Sequence, residues 1–136
     1  MLGGSFDVIH PGHVETLEQA KQLGDVLVVS VTRDALFEKN KGRKPLHNEQ
    51  LRRKLVSAIR YVDAVVLGNE DDPFGSLSLE PDVVALGYDQ ENMREGILSE
   101  IKKRGLESKV VTLKSSTPQI KTTKILSEKG NMVNEL

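Results

Sequence analysis

Cysteine is absent from this chain of 136 residues, which removes disulfides, thiolate catalysis and cysteine-type zinc sites at once. Tryptophan is absent too, and three Phe and two Tyr leave little material for a base-stacking platform. Neither sign of charge dominates: 19 Lys and Arg stand against 20 Asp and Glu. The chain therefore lacks the basic footprint of a DNA- or RNA-binding protein, and any anion site must be local. No apolar run approaches the roughly 18 residues of a membrane span, and no secretory pattern opens the sequence. A soluble, cytoplasmic protein with neither a nucleic-acid nor a membrane partner is expected.

What is present fits one ordinary domain over 1–136, with 38% hydrophobic and 29% charged residues. Short apolar runs alternate with helical segments, the pattern of an α/β domain with a parallel sheet. Strands are expected at 26–31, 64–67, 83–86 and 109–113. A first helix carries Val14, Leu17, Ala20 and Leu23 at helical spacing and stops at Gly24. Asn48 caps a second whose apolar face is Leu51, Leu55, Val56 and Ile59. Met93, Ile97, Leu98 and Ile101 mark a third ending at Gly105, and a short fourth runs over 123–129. Lys39, Lys41, Arg43 and Lys44 read as a loop following the second strand, before the Asn48 helix. Only Met1 and Leu2 precede the glycine turn, against about five residues in an ordinary strand, so either the start lies upstream or this strand is stunted.

The segment Gly3-Gly4-Ser5-Phe6-Asp7-Val8-Ile9-His10-Pro11-Gly12-His13 is the most informative in the chain. It puts two imidazoles three positions apart at a helix entry, so both rings can face one small volume. A helix start brings unpaired N–H groups and the positive end of a dipole to that volume, and Gly12 leaves room for a phosphate. Imidazole N–H groups aimed there would stabilise charge on phosphate oxygens during displacement. A second reading makes His10 a packed core histidine and His13 an ordinary helix residue. A metal pair is the third, weak because His47 is the only other imidazole.

Three later segments admit both a ligand and a structural role. The basic cluster at 39–44 could neutralise phosphates or simply be solvated. Gly87-Tyr88-Asp89-Gln90 follows a strand at the sheet edge where ligands of open α/β folds bind, yet Asp89 or Gln90 could equally cap the next helix. Thr122 and Thr123 precede the last helix, as a second anion site or as an ordinary cap. Arg60 suits a helix C-terminus, and Asp7 an Asx turn shaping the first loop.

GSFDVIHPGH resembles the G-T/S-F-D-x-x-H-x-G-H signature of the cytidylyltransferase-like nucleotidyltransferases of the HxGH superfamily. The likeness continues in order through Arg60-Tyr61-Val62-Asp63, Gly87-Tyr88-Asp89-Gln90 and Thr122-Thr123-Lys124-Ile125. The LGYDQ string is most similar to archaeal-type FAD synthetases.

That resemblance implies a three-layer Rossmann-like α/β fold and adenylyl transfer from ATP to FMN, giving FAD and pyrophosphate. It also implies Mg²⁺ or another divalent cation on the triphosphate, and a homodimer. It assigns catalysis to His10, His13 and Lys44, with no protein-built metal site. Nucleotide contacts fall on Gly4, Ser5, Phe6, His10, Pro11, Gly12, His13, Gly87, Asp89, Gln90, Thr122 and Thr123. Ser116 stands where the glycerol-phosphate cytidylyltransferases carry an Arg, six residues before the paired threonines. Transfer of CMP from CTP to a small alcohol phosphate is the alternative, and a catalytically silent nucleotide-binding module a third.

Overall fold

A computed structural model describes residues 1–114. Five parallel strands, β1 (Leu2–Gly4), β2 (Val28–Val31), β3 (Ala64–Leu67), β4 (Val83–Leu86) and β5 (Lys109–Thr112), form one sheet in the order β3-β2-β1-β4-β5. The chain winds from β1 out to β3, then returns to the other side of β1, which makes the β1/β4 boundary the switch point where ligands of such sheets bind.

Side chains alternate across the sheet, and this alternation defines two cores. Leu2, Val29, Val31 and Ala85 face a layer containing Leu17 and Ala20 of α1 (Pro11–Lys21) and Val56 of α3 (Glu49–Ser57). Val84 and Leu86 face the other way. They meet Leu77, from a 3₁₀ turn at Gly75–Leu79, and Ile97 and Ile101 of α4 (Arg94–Lys103). The expected three-layer α/β arrangement is the one observed.

Several local expectations are corrected. Lys39, Lys41, Arg43 and Lys44 were expected in a loop, but Lys39 and Lys41 belong to a helix, α2 (Asp34–Lys41), and only Arg43 and Lys44 follow the Gly42 cap. Strand β2 starts at Val28, not Val26, because the Asp63 carboxylate takes the Leu27 amide at 2.7 Å before the ladder begins. The first helix ends at Lys21 and leaves Leu23 exposed. On α3 the inward positions are Arg52 and Val56, while Leu51 and Leu55 face outward. Helix α4 likewise buries Ile97 and Ile101 but not Leu98, and Met93 precedes it in a 3₁₀ turn at Glu91–Met93. The expected helix over 123–129 lies outside the described residues.

The corrected face of α3 is open to measurement. Leu55→Gln should change stability toward urea by less than about 0.5 kcal/mol, whereas Val56→Ala should cost about 2 kcal/mol. A larger loss at Leu55 than at Val56 would return the core face to the leucines.

Candidate active site

The two histidines close the start of α1 on each other. His10 is its N-cap, and its Nδ1 accepts the Gly12 N–H at 3.1 Å. His13, one turn in, returns the contact: its Nδ1 accepts the His10 N–H at 3.2 Å. This is a capping box in which imidazoles take the usual Ser and Glu places. With both Nδ1 atoms accepting, each neutral ring must carry its proton on Nε2. The rings stack with centroids 3.9 Å apart.

The same contacts correct one expectation about this helix start. Pro11 has no N–H, the Gly12 N–H is taken by His10 Nδ1, and those of His13 and Val14 go to the His10 carbonyl. Positive potential at this end therefore comes from the dipole and the two Nε2–H groups, not from open amides.

Burial pushes the His13 ring down to about 4, with its neighbour His10 pushing the same way and Asp89 opposing. Burial also lowers His10, again against Asp89. Both rings are neutral donors at neutral pH.

Phe6 supports this pair from below. Its backbone lies in the left-handed region at φ 52°, and its buried ring sits 5.4 Å from His13. A Cβ on Gly4 would lie 2.7 Å from the Phe6 ring, so the glycine there makes room for the aromatic.

Two buried charged side chains, neither foreseen as anchors, hold the surrounding loops. Arg52 is fully buried yet satisfied. Its Nε donates to the His47 carbonyl at 2.8 Å, and its Nη1 to those of Ser5 at 2.8 Å and Thr32 at 2.7 Å. Its Nη2 meets Asp34 at 2.6 Å, so one guanidinium ties the ends of β1 and β2 to the starts of α2 and α3. Asp7 reaches across the fold instead of closing a local Asx turn. It accepts from the Leu46 and His47 amides at 2.7 and 3.3 Å and pairs with Arg43 at 3.2 Å. Arg52 left a trace in the sequence: with Val56 and Ile59 it forms one helical stripe, of which it is the only charged member.

Above this frame lies a cleft of about 800 Å³. Gly4, Ser5, Phe6, His10, Gly12, His13, Gly87, Asp89 and Gln90 all line it. Pro11 and Lys44 do not. Gly42 turns the chain and Asp7 holds Arg43 at the rim of the cleft, while Lys44 lies outside it; Arg33, Lys41 and Arg43 supply the cations of the wall. Neither Asp89 nor Gln90 caps α4, whose N-cap is Met93. Asp89 stays exposed, while Gln90 accepts the Gly87 N–H at 2.9 Å and donates to the Gly3 carbonyl at 3.0 Å. Arg60 is outside the lining, over the Tyr61 ring. Thr122 and Thr123 lie outside the described residues. Among the described residues no three His, Cys, Asp or Glu side chains group to hold a metal, and no helix is long and apolar enough to cross a membrane.

Known proteins resemble this chain over most of its length. The cytidylyltransferase-like family model matches residues 1–128. The chain is 46% identical over 115 residues to an FAD synthase of Aciduliprofundum boonei, covering 84% of this chain and 76% of that one. It is 44% identical over 131 residues to an FAD synthase of Archaeoglobus fulgidus, covering 93% of both. A crystal structure of a lipopolysaccharide core biosynthesis protein from Thermoplasma volcanium superposes with a TM-score of 0.78 at 38% identity, over 85% of this chain and 94% of that one.

Two measurements probe the frame. The unfolded chain has ordinary imidazoles near 6.5, so it takes up protons before the folded site does. The stabilising contribution is complete above about pH 6.5 and is lost as the pH falls toward 4. In an NMR titration the His13 ring should half-protonate near pH 4, and a midpoint at the free-imidazole value would mean that the ring is not buried against His10. Separately, Arg52→Met strands three carbonyls and Asp34, and should cost about 3 kcal/mol in urea unfolding. A loss below about 1 kcal/mol would remove Arg52 as the anchor.

Proposed function

The chain belongs to the cytidylyltransferase-like family, and on that premise we propose that this nucleotidyltransferase is an FAD synthase, moving AMP from ATP to FMN. The names of its relatives support the choice of ATP and FMN over CTP and an alcohol phosphate. The presence of both capped histidines argues against a silent module.

In this reading an oxygen of the FMN phosphate attacks the α-phosphorus of ATP, the bond to the β-phosphate breaks in line, and pyrophosphate leaves. No covalent enzyme intermediate is needed. His10 and His13 donate from Nε2 to the α-phosphate oxygens as charge spreads over them, each contributing about 3 kcal/mol as a preorganised donor. Their neutrality matters because the donors need no deprotonation and lose no proton to the phosphate.

Lys41 and Arg43, rather than Lys44, face the β- and γ-phosphates, and Thr122 and Thr123 complete that site. Asp89 accepts from the ribose hydroxyls. Because triphosphate oxygens are the hard ligands Mg²⁺ prefers, the cation belongs to the substrate complex, where it neutralises the charge of the leaving group. A homodimer in the cytoplasm, where both substrates occur, completes the proposal.

The observation that carries this reading is the pair of Nε2–H donors fixed over the cleft. With ATP and FMN the protein should release pyrophosphate and form FAD, and with CTP and glycerol 3-phosphate it should release little. His10→Ala and His13→Ala should each lower turnover a hundredfold or more while the protein stays folded by circular dichroism. Undiminished turnover in both variants would remove the histidines from the chemistry.

A further inference from the structure

The central strand of a parallel sheet is ordinarily covered on both faces, yet Gly3, in the middle of β1 and paired with β2, is exposed. It looks away from the α1 and α3 layer, as does Ser30 beside it in register on β2. Helix α4 and the Gly75–Leu79 turn cover β4 on that side. What remains is a trough within the cleft, with Gly3 and Ser30 as its floor and Phe74, Leu77, Met93 and Ile97 as an apolar wall.

Two details point to a ligand there. Ser30 is only 8% exposed and its hydroxyl has no partner among the described residues, although it faces the cleft. The residue is buried but its hydroxyl is open toward the cavity, where it is available to a bound molecule. Gly3, for its part, is not required by the packing: a Cβ there would meet nothing closer than the Ser30 carbonyl at 3.8 Å. The missing side chain leaves a flat floor of bare backbone.

We propose that this trough holds the flavin ring of the acceptor, flat against Gly3, with its apolar end on the Phe74 and Met93 wall and its polar edge hydrogen-bonded to Ser30. This rests on the reading of the chain as an FAD synthase. Direction of approach selects the acceptor over the adenine. Arg43, the group for the departing pyrophosphate, is held by Asp7 and lies over Phe37, and Asp7 also takes the amides that lead into α3, on the α1 and α3 side of the sheet. The trough opens on the opposite side, so an acceptor lying in it meets the α-phosphorus opposite the leaving group, as in-line displacement requires. The thioether of Met93 suits a wall that must fit a large planar ring.

The test reads FMN and ATP separately in Ser30→Ala and Gly3→Ala. Loss of one hydrogen bond should raise the KM for FMN about fivefold in Ser30→Ala, and Gly3→Ala should raise it tenfold or more, both with the KM for ATP within twofold of the parent. Titration of FMN alone, followed by quenching of flavin fluorescence, should show the same losses, and circular dichroism checks folding. Unchanged FMN affinity in both variants, or a rise in the KM for ATP instead, overturns the assignment. Should Gly3→Ala fail to fold, Ser30→Ala decides alone. If the parent protein forms no FAD yet binds FMN in a manner that depends on Ser30 and Gly3, the reaction is wrong and the trough stands.

Discussion

The two hydrogen bonds by which the rings of His10 and His13 accept from the backbone of one turn are the constraint on which the site depends. Each ring gives its Nδ1 to the backbone of the other's turn, and this single arrangement has three consequences. It fixes the tautomer, it caps the start of the helix without a Ser or Asp, and it ties the protonation of both rings to the integrity of the turn. A residue pair with chemical work to do thus also performs the structural work of starting α1. Stacking at 3.9 Å adds that a proton on one ring discourages a proton on the other, so the pair stays neutral as a unit.

Around that pair the fold relies on buried charge where an apolar contact might be expected. Arg52 and Asp7 each bind three or more groups drawn from segments 18 to 47 residues apart in sequence. A hydrophobic side chain could fill either space, but it could not satisfy the carbonyls and amides that converge there. Loops at the carboxyl end of a parallel sheet have few ladder partners of their own. A guanidinium with five donors in a rigid fork can hold several of them at once.

The order of strands and helices was legible because each element keeps its own period. Runs such as Val83–Leu86 read as buried strands, and Leu17 with Ala20 as a core face. The cleft residues of the first loop and of Gly87–Gln90 were legible because their chemistry is local. What was hidden depends on contacts between distant positions. Helix α2 has a single buried side chain, Phe37, and therefore no apolar stripe to announce it. On α3 the leucines at 51 and 55 outweighed the true stripe, since a buried Arg counts against burial in any hydrophobic pattern. Lys44 and Arg43 are neighbours of the same charge, and it is Arg43, paired with Asp7, that lines the cleft.

Gly4 and Phe6 are bound by a sterically ordered dependence. The Phe6 ring occupies the space that any larger residue at position 4 would need, and Phe6 in turn holds a left-handed backbone that few side chains accept. Divergence at these two positions is therefore directional: the aromatic ring has to leave before position 4 can enlarge. A lineage that tried the steps in reverse would pass through a misshapen loop, which makes this corner of the chain slow to drift.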